Sequence, residues 1–161
     1  MTKETGKTTL KSGLLQEFDE EMTATRKILE CVPEDKLGWK PHQKSMTLGK
    51  LANHVAAMPA VAEIIVKKHG EKPPGAAAKT DLLEIFDKHV KACREALTGL
   101  TDDQLAGTIL VTFTLEKPLW SVLQGRGLMN HLIHHRGQLS VYLRLLDVAV
   151  PGMYGPSADE K

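Results

Sequence analysis

Apolar residues recur every three or four positions through most of this chain, a spacing that fits one face of an α-helix and not a strand. Between about Thr9 and Val32 the recurring positions are Leu14, Phe18, Met22, Thr25, Leu29 and Val32, and Pro33 then interrupts them. A second stretch opens near Ser45 or Thr47, either of which can cap it, and reaches about Lys68. Leu51, His54, Met58, Val61 and Ile65 share its stripe. Pro59 lies inside and is expected to bend the helix about one turn beyond His54. A third helix is predicted from about Asp81 to Leu97, with Leu82, Phe86, Val90, Cys93 and Leu97 on its apolar face. Thr80 and Asp81 are its candidate caps, and Asp81 with Glu84 has capping-box spacing. The fourth and longest is predicted from about Pro118 to Leu146, interrupted by Gly125, Gly127 and Gly137. Hydrophobic residues make up 42% of the chain and aromatics only 4%, which favours aliphatic helix faces over a sandwich or barrel. Four long helices predict an all-α fold, a four-helix bundle.

The connections are equally readable. Pro33 to Pro41 reads as a short helical turn and a loop pinned by Leu37 and Trp39, and His69 to Ala78 as a loop rich in Gly and Pro. Thr101–Gln104 is placed to cap a further short turn, and Thr108–Leu115 is expected to be one short extended segment. Residues 150–161 read as an extended C-terminal tail from which Val150, Met153 and Tyr154 fold back onto the helices; residues 1–8 are expected to be disordered. At 161 residues there is room for a single domain, 1–161.

Lys and Arg total 21 against 20 Asp and Glu, a net charge of +1 that gives no electrostatic reason to bind nucleic acid or an acidic membrane face. Cys31 and Cys93 are too few and too far apart for a disulfide framework or a zinc clip, and read as free thiols in a reducing compartment. No stretch approaches a membrane span, and the N-terminus lacks a signal-peptide core, so the expected location is cytoplasmic.

Chemistry concentrates in the histidines. His42 and His69 fall in polar loops and His89 at the margin of an apolar stripe, so these three read as solvent-facing or packing residues. The string from Asn130 to Gln138 is different. At about 100° per residue, His131 and His135 lie about 40° apart and one turn apart, placed to chelate one cation. Spacing does not decide between His134 and His135 as the second donor, because separations of three and four both bring side chains together. Gln124, Leu128, Gln138 and Tyr142 fall within about 60° of His131, which makes the inward stripe partly polar. Two imidazoles alone hold a divalent ion weakly, so a third donor should come from another helix, and His54 is the candidate. The competing reading of His54 is a hydrogen-bonded core imidazole. Three neutral imidazoles leave a metal its full charge and leave positions open, the donor count of a catalytic site.

The strings Pro33–Pro41, Ser45–His54 and His131–Gln138 (His-Leu-Ile-His-His-Arg-Gly-Gln) together resemble the DinB/YfiT-like superfamily, and the resemblance extends from the first helix into the Pro151–Pro156 tail. It implies a four-helix bundle with a long crossover connection, commonly a homodimer. It also implies a metal triad of one histidine from the second helix and an i, i+4 pair from the last; carried onto this chain, those are His54, His131 and His135. Nickel, zinc or iron is the implied divalent metal ion, and imidazole suits all three. Some relatives are thiol-dependent transferases or isomerases that use a low-molecular-weight thiol such as bacillithiol or mycothiol as cosubstrate.

The expected function is therefore a metal-dependent enzyme, a thiol-dependent S-transferase or related activity on a small electrophile. The alternative is a non-catalytic metal- or small-molecule-binding bundle. Gln138 and Tyr142 are candidates to orient a bound water or a substrate oxygen, or else a buried polar pair bonded to backbone. Arg136 lies about 140° from His131 and reads as a salt-bridge or dimer-surface residue. Trp39 and Trp120 read as core anchors. Tyr154 is either a lid over the site or part of a packed strap.

Overall fold

The computed structural model describes residues 8–67, 78–112 and 114–160. The expected disorder of residues 1–8 and the loop over 69–78 lie, apart from Thr8 and Ala78, outside the described residues. Helix α1 spans Leu10–Glu30 and opens on a reciprocal cap: Thr9 accepts the Ser12 N–H at 3.1 Å while Ser12 accepts the Thr9 N–H at 2.9 Å. A single 3-10 turn, Glu34–Lys36, leads toward α2, Leu48–Lys67. Thr47 is the residue that caps α2, accepting the Lys50 N–H at 3.3 Å. The helix runs on through Pro59, whose missing N–H leaves one bond of the ladder unmade. Helix α3, Lys79–Thr98, begins two residues earlier than the spacing predicted. Asp81 acts from inside the first turn, accepting the Ala78 N–H at 2.9 Å, rather than as the cap itself. Thr101 caps the short α4, Asp102–Ala106, as expected.

The region that follows departs from the sequence reading in two ways. The extended segment is real but has a partner: β1, Thr108–Thr112, pairs antiparallel with β2, Leu115–Pro118. Pro118 closes the second strand instead of sitting in a helix. The single long helix from Pro118 to Leu146 is also corrected to two, α5 over Leu119–Gln124 and α6 over Met129–Leu145. Glycines cause the break. The Gly125 N–H closes on Ser121 O, the Gly127 N–H reaches back to Val122 O, and Leu128 enters α6 from φ −154°, ψ −77°. A Cβ on Gly127 would stand 2.6 Å from Val122 O and 2.9 Å from Ile65 Cδ1, so α2 packs against this turn only because the side chain is absent.

The bundle consists of α1, α2, α3 and α6. Both α1 and α2 pack against α3 and α6, which places the consecutive helices α1 and α2 diagonally and makes the α3-to-α6 passage the long connection. Arg26–Asp87 and Arg94–Asp19 pair α1 antiparallel to α3 at their exposed faces, where such pairs set register more than they add stability. The predicted stripe of α1 is buried throughout, as are Leu82, Phe86, Cys93 and Leu97 of α3. In α2 the buried arc runs through Leu48, Leu51, Ala52, Val55, Ala56, Met58 and Ala62, while Val61 is exposed. Val61 lies about 20° from His54 on the wheel, so both sit at one edge of that arc. Trp39 anchors its loop, its ring edge-on to Tyr142 at 5.7 Å, and Gly49 lets Leu37 approach α2 closely. Trp120 is not a core anchor: Leu119 and Leu123 occupy the buried side of α5 and leave it 40% exposed.

Helix α6 ends in a left-handed Asp147 at φ 56°, with Asp147 N–H bonding Arg144 O and Val148 N–H bonding Leu143 O. That turn sends the tail back along the bundle. Arg144 and the Val150 N–H both hold Asp159, pulling its carboxyl down to about 2. The Tyr154 hydroxyl bonds Glu21 at 2.7 Å and Arg136 at 2.8 Å, tying the tail to α1 while the residue itself stays 72% exposed. Of the two readings of Arg136, the salt bridge is found and the dimer surface is not. Its guanidinium is buried, 2.6 Å from Glu21, with only 3% and 4% of the two side chains exposed, and it takes no part in a surface.

Candidate metal centre

His54 sits in the second turn of α2, and His131 and His135 occupy successive turns of α6 starting just after the glycine break. The two helices run antiparallel, with Tyr142 donating to Met46 O at one end and Ile65 against Gly127 at the other. His54 therefore meets α6 at the histidine pair, nearer His135 than His131. Ring centroids are 5.3 Å apart for His54–His131, 4.4 Å for His54–His135 and 4.9 Å for His131–His135. One nitrogen from each ring lies within 4.8 Å of the others. Among the described residues this is the one set of three His, Cys, Asp or Glu donors close enough to share an ion. Donors around a tetrahedral zinc with bonds of about 2.0–2.1 Å sit roughly 3.3 Å apart, so a modest rotation about the side-chain torsions brings these into range.

All three imidazoles are half-buried, open to solvent on one side and packed on the other. Burial is the main cause that lowers the pKa of His54 below its ordinary value, reinforced by His135 and His131. The same cause lowers His131, helped by His135 and opposed by a hydrogen bond to the Arg126 backbone. A lowered imidazole pKa keeps the lone pair free at neutral pH, which is the form a metal needs. Three imidazole nitrogen donors from two helices, with no carboxylate among them, fit a divalent ion of the zinc, nickel or iron type.

His134 stays outside this group. Its Nε2 lies 3.1 Å from Gln138 Nε2, and it is exposed. Gln138 also places Oε1 2.8 Å from His135 Nδ1, so its amide touches two imidazoles. Spacing contains the signal for this, since Gln138 follows His135 by three and His134 by four, but periodicity alone does not show one amide serving both. Tyr142 donates to Met46 O at 3.3 Å and packs on Trp39, tying the Ser45–Thr47 turn to α6. Gln124 leaves the stripe altogether. The break after α5 turns it toward a groove with Leu10, Leu14 and Trp120.

The profile of the DinB family matches residues 1–161, the whole chain. The chain belongs to the DinB family. Among its relatives are two uncharacterized proteins of Bacillus subtilis strain 168. YrdA is 25% identical over 150 residues, covering 91% of this chain and 89% of YrdA. YjoA is 25% identical over 138 residues, covering 81% and 87%. A solved DinB-like protein from Bacillus cereus ATCC 10987 superposes with a TM-score of 0.76 at 28% identity, over 88% of this chain and 96% of that one. The solved YjoA structure gives 0.69 at 22% identity over 92% and 98%, a likeness of fold. Within this DinB chain no helix among the described residues is long and apolar enough to cross a membrane.

The lowered histidines make stability depend on pH with a definite sign. In the unfolded chain these imidazoles titrate near about 6.5; in the folded protein His54 and His131 hold their protons less tightly. Below that pH the unfolded state binds more protons, so stability falls with acidification. Chelator-treated protein is expected to show its urea midpoint dropping between pH 7 and pH 5, with a smaller drop in the double variant His54→Gln, His131→Gln. An equal drop in both proteins would place the acid sensitivity elsewhere.

Proposed function

We propose that this DinB-family protein binds one divalent metal ion through His54, His131 and His135 and uses it to transfer a low-molecular-weight thiol onto a small electrophile. The observation that supports this most strongly is the convergence of three half-buried imidazoles from two helices that are far apart in the chain. A divalent ion held there would supply positive charge that favours an anionic sulfur nucleophile at neutral pH.

The chain's own contribution is positional. His54 on α2 and the pair on α6 hold their donors on two rigid elements, and the Gly125–Leu128 turn sets the phase of α6 so that His131 faces α2. Burial keeps His54 and His131 unprotonated. Tyr142 and Trp39 pin the loop that leads into α2, which fixes the height of His54 along its partner. Histidine donors without a carboxylate leave any bound ion its full charge, which suits an anionic cosubstrate.

The test has two stages. Protein replenished with zinc or nickel and then desalted is assayed for bound metal by elemental analysis. The loaded protein is then offered bacillithiol, mycothiol, glutathione or coenzyme A with a chloro-nitroaromatic acceptor. One metal per chain and thiol-dependent, chelator-sensitive turnover are expected. Stoichiometric metal without turnover across the panel would reduce the protein to a metal-binding bundle, and metal well below one per chain would remove the site as well.

A further inference from the structure

We infer that Gln138, itself held by His134, positions His135 by fixing which of its ring nitrogens carries the proton. The inference deepens the metal-binding reading of His54, His131 and His135 and rests on it. A neutral imidazole has one donor and one acceptor nitrogen, and only the unprotonated one can coordinate. Gln138 Oε1 lies 2.8 Å from His135 Nδ1. An amide oxygen only accepts, so the proton of His135 belongs on Nδ1 and the lone pair on Nε2. The other end of the same amide stands 3.1 Å from His134 Nε2. An amide nitrogen only donates, so this nitrogen of His134 is the acceptor and its proton sits on Nδ1.

The two contacts depend on each other. Turning the amide by 180° would aim its N–H group at His135 Nδ1, move the His135 proton to Nε2 and block that nitrogen. In the present arrangement His134 Nε2 accepts the amide N–H while His135 Nδ1–H donates to the amide oxygen, so both ends of the amide are satisfied at once. The His134 and His135 rings lie 4.9 Å apart at 70°, and residues 134, 135 and 138 share one side of α6, so a single amide spans both. Gln138 is thus a positioning residue acting through His135, and His134 a positioning residue acting through Gln138. Partners of this kind orient a ligand ring and select its tautomer.

Long-range proton–nitrogen NMR spectra of the metal-free protein at pH 8 read the tautomers directly, and zinc affinity is measured beside them by competition with a chromophoric chelator. In the wild type, His134 and His135 are both expected to carry Nδ1–H. Gln138→Ala should move His135 toward Nε2–H and weaken zinc binding about 10–100-fold. Gln138→Glu offers acceptors only. It should keep His135 on Nδ1–H with affinity at or above wild type, while His134 shifts to Nε2–H to donate to the new carboxylate. An Nε2–H His135 in the wild type, or a His135 tautomer unchanged by Gln138→Ala, overturns the inference whatever the affinity does. A wild type that binds no zinc removes the metal reading instead, and the tautomers are still read in the metal-free protein.

Discussion

Replacing His54 by alanine is expected to lower zinc affinity by at least about 100-fold, a loss of about 2.7 kcal/mol or more. The substitution removes the α2 member of the three-histidine group and leaves a two-histidine chelate on one helix. His131→Ala should lose a similar amount, because it breaks both the chelate on α6 and the bridge to α2. His134→Ala should stay within about tenfold of wild type, since its ring lies outside the group and acts only by holding Gln138. His54 is half-buried at the edge of the apolar arc, so the bundle should persist without it, and far-UV circular dichroism checks that. A His54→Ala protein with wild-type affinity would show that zinc binds through other residues.

The largest effect on stability is expected at the other side of α6. Arg136→Met should cost about 3–5 kcal/mol, because it strands the Glu21 carboxylate in the interior without a counter-charge. In the intact protein the guanidinium lies 2.6 Å from Glu21 Oε2 and also donates to Glu21 O at 3.1 Å, Thr25 Oγ1 at 3.2 Å and the Tyr154 hydroxyl at 2.8 Å. Glu21 Oε2 has no in-line donor, so that contact is coulombic, and the Tyr154 hydroxyl satisfies Oε1. At roughly 2–4 °C per kcal/mol for a chain of this size, the melting temperature should drop by about 10 °C. Replacing both members, Glu21→Leu with Arg136→Met, should recover most of the loss, since an apolar pair avoids the desolvation of two ions. A single Arg136→Met variant costing under about 1 kcal/mol would mean that Glu21 escapes to solvent and that the network adds little.

Much of this arrangement is legible in residue spacing. The α1 stripe from Leu14 to Val32 is buried as its period predicts, and the Thr9 and Thr101 caps fall where Ser and Gln three residues on can reciprocate. The last helix is misread because apolar residues continue at helical spacing on each side of the glycines, Leu119 and Leu123 before them and Leu128 and Leu132 after, although the step of five between Leu123 and Leu128 changes face as the backbone breaks. Periodicity reports which side is apolar, not whether the hydrogen-bond ladder is continuous. The dimer-surface alternative for Arg136 fails for a related reason. The wheel angle correctly sets the residue away from His131, but the wheel does not show that α1 and the returning tail cover that side. Val61 and Trp120 read as inward because they are apolar, yet both are exposed.

By itself the sequence determined the helices, their apolar faces and a histidine pair one turn apart, because these depend on short-range geometry that repeats every 3.6 residues. Only the tertiary structure decided that His54 meets His131 and His135, that His134 turns to Gln138, and that Arg136 is interior. Each of those depends on how far α2 slides along α6 and on where the tail returns, and packing between elements distant in the chain sets both.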